Sequence, residues 1–342
     1  MPIIDQVTRE QMTRAVICDR PGGPEVLKIS TIPRPEPGPG QLLVRVRASA
    51  LNRADLLQRA GEYAPPPGES SILGVEIAGE VESWGDGVEG FRRGQGVLGI
   101  VGSGGYAEHC LLDAGMAVPV PEGWSWVDAA AVPEVFYTAD TTLFELGELA
   151  PGQSVLIHAA ASGVGTACIQ LAREAGAARI FCTAGSDEKL ARCRELGAPV
   201  EVIGINRKTH DFVEKIRRVT GGAGVDVVED FIGIEYLSRN LSILKDGGRL
   251  VVVGLLSGWE GAIDLLPVVL RRLQIKGSAM RPRSIEDKRA ITCKFQERWL
   301  PLLVAGRLRP VIDSVFPFDQ VAAAHERMES NESFGKIVLT LD

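Results

Sequence analysis

Aromatic residues are scarce in this 342-residue chain, 6% in all, too few to line the stacking channels that hold single-stranded nucleic acid. Positive charge is short as well. Lys and Arg number 37 against 44 Asp and Glu, a formal charge of -7, which repels nucleic acid and anionic membrane by default and leaves small molecules as the expected partners. No apolar run reaches the roughly 18 residues that cross a bilayer. The opening MPIIDQVTREQMTR lacks the apolar centre of a signal peptide, so cytoplasmic residence is the expectation. Arg9 and Arg14 would suit a transit peptide, but Asp5 and Glu10 are atypical of one, and a start at Met12 would remove the extension. The six cysteines, Cys18, Cys110, Cys168, Cys182, Cys193 and Cys293, are scattered and follow no secretory signal, which predicts reduced thiols and no disulfide framework.

What the chain has in quantity is glycine and proline, 39 and 20 residues, above the usual share but below the level of disordered sequence, so the excess belongs in turns. The length favours two domains. From Thr13 to about Pro121, short apolar runs (RAVICD, VLKIS, QLLVRVRAS, GVEIAGEVESW, GQGVLGI, YAEHCLL, AVPVP) alternate with Gly/Pro turns, as in a compact barrel-like β domain with one helix near Arg53 to Arg59. After Val127, helices near 127–149 lead into strands SVLIHA, RIFCTA, VDVVEDF, RLVVVG and QIKGS, alternating with helical stretches. That alternation predicts a parallel sheet with crossover helices. One of those helices, Asp187 to Leu196, has Ser186 as its N-cap and Gly197 as its stop. Beyond Ser284 a helical stretch, the run VIDSVFPF, a helix near 319–330 and the strand KIVLTL are expected to return to the first domain.

The strongest local signal is SVLIHAAASGVGTACIQLAREAGA, a buried-type strand passing through small residues into a helix that opens near Gly163. On a G-x-G-x-x-G template the slots fall on Ala160, Ser162 and Gly165, a degenerate fingerprint that gains weight from the strand–turn–helix order. Small side chains let backbone approach a pyrophosphate, and the N–H groups and dipole of a helix start favour its charge. A tight helix-to-sheet packing turn is the alternative. At the end of the next strand, where a carboxylate would bind a free ribose 2′-hydroxyl, stand Thr183, Ala184, Gly185 and Ser186. None is acidic. Ser186, the helix start and Lys189 suit a 2′-phosphate instead, so NADPH is expected rather than NADH, with Asp187 and Glu188 directed to solvent.

These residues resemble the medium-chain dehydrogenase/reductase superfamily, and within it the zinc-independent quinone oxidoreductases, over nearly the whole chain from Arg14. DRPGGPEVL, ASALNRADLLQRAGEYAPPPG, ILGVEIAGEV, HAAASGVGTACIQLAR, TAGSDEKL and FGKIVL stand in the family's order, and LNRADLLQRAGEY with its triple proline is most similar to the tumour-suppressor-inducible quinone reductases. The resemblance implies an α/β protein with a GroES-like β-barrel catalytic domain, residues 1–126 and 283–342, and a Rossmann NADPH-binding domain, 127–282. It implies a dinucleotide bound between them and a homodimer formed through the nucleotide domain. It also implies a metal-free enzyme. Family alcohol dehydrogenases hold zinc through a cysteine in the segment matching ALNRAD and a histidine in that matching LGVEIAG, where this chain has Asn52 and Val75. Neither replaces a thiolate or imidazole, and GIVGSGGYAEHC offers no four-cysteine loop. His109 and Cys110, as strand neighbours, face opposite sides.

Without a Lewis acid, the acceptor must itself be electron-poor, a quinone or an activated alkene. By resemblance Asn52 contacts the nicotinamide ribose and Tyr63 lines the nicotinamide and substrate site, both as positioning residues. Thr138 meets the cofactor, and Ser162, Gly163 and Val164 form the pyrophosphate turn. Gly185, Ser186 and Lys189 lie at the 2′-phosphate, Gly233 and Gly254 open onto the ligand crevice, and Lys336 contacts the cofactor. Two departures stand out. Leu57 replaces a second tyrosine, predicting a more apolar pocket, and Arg207 stands where many members have a tyrosine near the adenosine phosphate, suiting a charge-assisted fork. Tyr63 could otherwise pack on Pro65, Pro66 and Pro67, Lys336 could be a strand-edge lysine, and Arg207 a solvated one. The expected activity is hydride transfer from NADPH to a quinone, with water completing protonation and no acid near Tyr63. The rivals are reduction of α,β-unsaturated aldehydes or ketones, and a dinucleotide-binding sensor or structural protein with little turnover.

Overall fold

The computed structural model describes residues 11–341; Asp5, Arg9 and Glu10, and with them the targeting expectation, lie outside the described residues. The chain forms two compact units. The first takes the chain up to Glu134, then Arg281–Val304 and Ile312 onward; the second takes Val135–Met280 and Ala305–Val311. Among the described residues no helix is long and apolar enough to cross a membrane.

In the first unit, β1 (Met12–Cys18) pairs antiparallel with β2 (Leu27–Pro33). The long β3 (Gln41–Ala50) is flanked by β4 (Glu76–Trp84) and also pairs with β6 (His109–Asp113), while β5 (Gly96–Ile100) joins β4 to β7 (Val118–Pro119). All seven apolar runs thus become strands. The core here is built from small side chains, with Ala48, Ala50, Ala78 and Val338 packed against Ala129, Ala130 and Ala131. That corrects the expected division: residues 127–134 fall in the first unit, because the helix Trp126–Ala130 buries its alanines on strands of this sheet. Cys110 is buried on β6, its thiol pushed up to about 12 by desolvation. His109 points the other way, between Thr13 Oγ1 at 2.9 Å and Glu82 Oε2 at 3.0 Å. All six cysteines are free thiols.

The second unit holds a six-stranded parallel sheet of β8 (Ser154–Ile157), β9 (Arg179–Ala184), β10 (Glu201–Asn206), β11 (Val225–Asp230), β12 (Leu244–Val252) and β13 (Gln274–Gly277). Their spatial order is β10-β9-β8-β11-β12-β13, the doubly wound order that reverses between β8 and β11. Helices on both faces explain why β8 is buried at every position. The strand EVIGIN of β10 is absent from the sequence expectation, although its β-branched Val202, Ile203 and Ile205 favour a strand. Ser162, Ser186 and Asp211 cap the helices Gly163–Glu174, Asp187–Gly197 and Phe212–Thr220. Residues 305–311, expected in the first domain, belong here, where the Gln170 side chain brackets the Arg309 backbone with two 3.0 Å hydrogen bonds. The chain then returns to the first unit as β14 (Ile312–Pro317) and β15 (Lys336–Thr340), with β15 antiparallel to β3.

Candidate active site

The small-residue turn sits at the carboxyl ends of the central strands of the second unit. Ala159 takes a positive φ of 45°, and Ser162 Oγ accepts from Gly165 N at 3.0 Å. The N–H groups of Gly163 and Val164 therefore open the helix without an intrahelical partner. Gly165 is required by close approach: a Cβ there would stand 2.7 Å from both Ala159 O and Ala160 Cα. The turn is thus built both to pack and to present donors, which fits a pyrophosphate.

At the end of β9, Ser186 Oγ accepts from Lys189 N at 3.3 Å. A side chain on Gly185 would come within 3.7 Å of the Arg207 guanidinium and of the Lys208 stem. Gly185 thus lies beside Arg207 and beside Lys208, which the sequence reading did not single out, while Lys189 joins Ser186 through its backbone N–H. Asp187 and Glu188 are exposed, and Asp187 Oδ1 accepts from Asn206 Nδ2 at 3.2 Å. Gly233 and Gly254 lie together around Phe231, with Gly254 N donating to Asp230 O at 3.2 Å and Gly233, at φ 94°, donating to Asp230 Oδ1 at 3.2 Å. Thr138 is buried on the helix Pro133–Asp140, ahead of a π-helical turn at Thr141–Leu146.

A buried relay missed in the sequence ties these strand ends together. Asn240 Nδ2 donates to Asp230 Oδ2 at 3.1 Å, so its Oδ1 accepts from His158 Nε2 at 2.8 Å. His158 Nδ1 then accepts from Thr183 Oγ1 at 2.9 Å. Desolvation lowers His158 to about 4 and raises Asp230 to about 6, so the imidazole is neutral and acts as a fixed brace.

In the first unit the cluster forms around Glu76, which is wholly buried. Its Oε1 accepts from Asn52 Nδ2 at 2.9 Å and Lys336 Nζ at 2.7 Å, and its Oε2 from Glu134 N at 2.8 Å. Lys336 also donates to Leu51 O at 2.6 Å and Asn52 Oδ1 at 2.8 Å, which uses its three ammonium hydrogens within the protein. It is no strand-edge lysine, since β15 lies between β14 and β3. Asn52 precedes the helix Arg53–Arg59 and is fixed through its N–H to Asp55 Oδ2 at 2.8 Å. Burial raises Asp55 to about 6 despite donors from Asn52, Gly74 and Tyr106. The half-buried Tyr63 ring faces Arg281 at 5.2 Å, so its partner is a guanidinium, and burial pushes its hydroxyl pKa up. The negative charge of Glu134 adds to that upward push, and Arg281 opposes it. Leu57 is 38% exposed.

Among the described residues, no three His, Cys, Asp or Glu side chains are grouped to hold a metal ion. At Asn52 and Glu76 the Lys336 ammonium already supplies the positive charge, so a divalent cation there would meet charge of its own sign.

The reversing strand order and the capped turn are those of a dinucleotide-binding fold. Residues 38–122 match the alcohol dehydrogenase GroES-like domain and residues 163–293 the zinc-binding dehydrogenase family. The quinone oxidoreductase of Rattus norvegicus is 34% identical over 339 residues, 98% of this chain and 99% of the relative. A solved NAD-dependent alcohol dehydrogenase is 35% identical, covering 96% of this chain and 100% of that one, with a TM-score of 0.85. The Escherichia coli quinone oxidoreductase complexed with NADPH is 27% identical over 96% of this chain and 99% of its own, with a TM-score of 0.84. This chain belongs to the medium-chain dehydrogenase/reductase superfamily and is an oxidoreductase with a GroES-like domain and a Rossmann-like sheet. Within that superfamily it is similar over its length to quinone oxidoreductases.

Proposed function

We propose that the protein is a metal-independent NADPH:quinone oxidoreductase. The observation that carries the reading is the end of β9, where Gly185 and Ser186 meet Arg207 and Lys208 and where the neighbouring Asp187 carboxylate is engaged by Asn206 Nδ2. When bound, NADPH supplies the hydride. Gly163 and Val164 would hold its pyrophosphate through their N–H groups, Ser186 and Arg207 its 2′-phosphate, and Asn52 its nicotinamide ribose. Lys336 and Glu76 hold the Asn52 amide in one orientation, and Tyr63 offers a hydroxyl donor to an acceptor oxygen. The relatives divide on the nucleotide, since one solved structure is named NAD-dependent and another holds NADPH. The charge at β9 and β10 favours the phosphorylated form here.

Arg207→Ala is accordingly expected to weaken NADPH binding about tenfold and NADH binding less than twofold, measured by calorimetry. Equal affinity of the parent protein for both nucleotides would refute the cofactor assignment. Multiple-turnover NADPH oxidation with a quinone, compared with an enone, tests the acceptor.

The homodimer contact we propose is β13. This strand forms an edge of the six-stranded sheet, an unpaired edge being a template for another strand. The same unit leaves large apolar side chains open, Trp259 at 73% and Val269 at 72% exposure. A second copy of this chain would cover them. Ile275→Pro, on β13, is expected to give monomers in sedimentation; an unchanged dimer would move the interface elsewhere.

A further inference from the structure

The segment that carries Tyr63 is poorly equipped to hold itself in place. It contains three consecutive prolines, Pro65, Pro66 and Pro67, which have no N–H to donate, and it runs without helix or strand from the end of the helix Arg53–Arg59 to β4. What fixes it comes from far along the chain. Arg281 is the first residue of the piece Arg281–Val304 that returns to the first unit, and it is only 8% exposed. Its guanidinium reaches three neutral oxygens: Nε donates to Gly102 O at 2.8 Å, one terminal nitrogen to Tyr63 O at 3.4 Å, and the other to Gln58 Oε1. Gln58 passes the restraint on, its Nε2 donating to Ser71 O at 3.0 Å. The guanidinium carbon also lies 5.2 Å from the centroid of the Tyr63 ring, within cation–π reach. The Gly102 carbonyl is a firm anchor, because Val101 N and Gly104 N donate to Val75 O at 2.8 Å and Ile72 O at 2.9 Å. Arg281 is itself held from behind, where the buried Lys288, on the helix Ile285–Arg298, donates from Nζ to Arg281 O at 2.9 Å. One side chain thus ties down the backbone and the ring of Tyr63.

We propose that Arg281 is the positioning residue of the acceptor site: it fixes Tyr63 against Gly102 and so sets the affinity for the acceptor, while taking no part in hydride transfer. This rests on the quinone-reductase reading above, which gives Tyr63 its contact with the acceptor. A loop that is not tied down has to be ordered by the acceptor itself, and that cost is subtracted from binding. The loss therefore falls on KM. The planar fork is what the task requires, since it reaches a carbonyl on each of two loops and a side-chain amide at once. A lysine ammonium keeps the charge but lacks the fork, so it cannot span the same three oxygens.

The test compares the full-length parent with Arg281→Lys and Arg281→Met, each alone and combined with Tyr63→Ala. In Arg281→Lys the KM for a quinone is expected to rise on the order of tenfold, with kcat and the KM for NADPH each changed less than about twofold. In the Tyr63→Ala background the same substitution should change the quinone KM less than about twofold, because the side chain it places is gone. Hydrogen exchange of ligand-free protein should quicken in the peptide spanning residues 60–71 of Arg281→Met and stay at the parent rate in β4. Arg281→Lys, which keeps the buried charge, carries the test alone if Arg281→Met does not fold. An Arg281→Lys protein whose quinone KM stays within twofold of the parent overturns the proposal and leaves the quinone-reductase reading intact. A rise in KM that persists undiminished beside Tyr63→Ala, or unchanged exchange in residues 60–71, overturns it equally. A parent that turns over no quinone overturns both.

Discussion

Lys336→Met is expected to destabilise the protein by about 3–5 kcal/mol, seen as a fall in melting temperature on the order of ten degrees. The lysine is 3% exposed and its partner Glu76 is fully buried. Methionine approximates the stem but removes the ammonium, leaving the Leu51 carbonyl without its donor and Glu76 without its counter-charge. An uncompensated carboxylate inside a protein is the costly outcome, far more so than losing the pair together. The double variant Lys336→Met/Glu76→Gln buries no lone charge and is expected to recover about half of the loss. Thermal unfolding followed by circular dichroism measures both. Near-neutral behaviour of the single variant would mean that Lys336 is hydrated and that the cluster around Asn52 is loose.

That cluster shows where the sequence stops being readable. The glycine-rich turn was legible because its chemistry is local: Ser162, Gly163 and Gly165 lie within four residues, and their capping and close approach are short-range properties. The strands of the first unit were legible for the same reason, as each apolar run is bounded by its own Gly or Pro. Glu76 and Lys336 are 260 positions apart, and nothing in ILGVEIAGEV or FGKIVL announces that one neutralises the other. Their meeting depends on β15 returning beside β3, a tertiary event. Lys336 was picked out as a contact for cofactor, and the fold instead spends its hydrogens on protein. His158 lies inside the motif that drew attention, yet its function as a brace depends on Asn240, 82 residues on. The division of the chain slipped at 127–134 because an alanine-rich helix carries no label saying which sheet its small face will meet.

Glu229→Leu should stabilise the protein, and by more as the pH rises. Glu229 is wholly buried on β11, and neither of its carboxylate oxygens has a hydrogen-bond partner among the described residues. The nearby Thr142 hydroxyl gives only partial relief; it is engaged with Ala139 O at 3.4 Å. The other titratable group facing it is Cys168, whose thiol is also wholly buried and pushed up, chiefly by desolvation. Desolvation accordingly holds the Glu229 carboxyl up to about 8. In the unfolded chain a glutamate titrates near 4.3. Between those values the folded state binds a proton that the unfolded state has released, so stability declines as the pH climbs and levels off above the folded value. Asp55, Asp230 and Glu134 slope the same way, but the variant shares them, and the difference between the two proteins isolates Glu229. Leucine removes both the carboxyl and its unpaired oxygens while filling a similar volume. A melting-temperature gain on the order of five degrees is expected at about pH 8, shrinking towards pH 5. Glu229→Gln, which stays polar and uncharged, should flatten the pH dependence but gain less, because its amide inherits the unmet hydrogen bonds. If the parent and both variants instead melt in parallel across this range, the carboxylate has found a partner in the folded protein and the isolation of Glu229 on β11 is wrong.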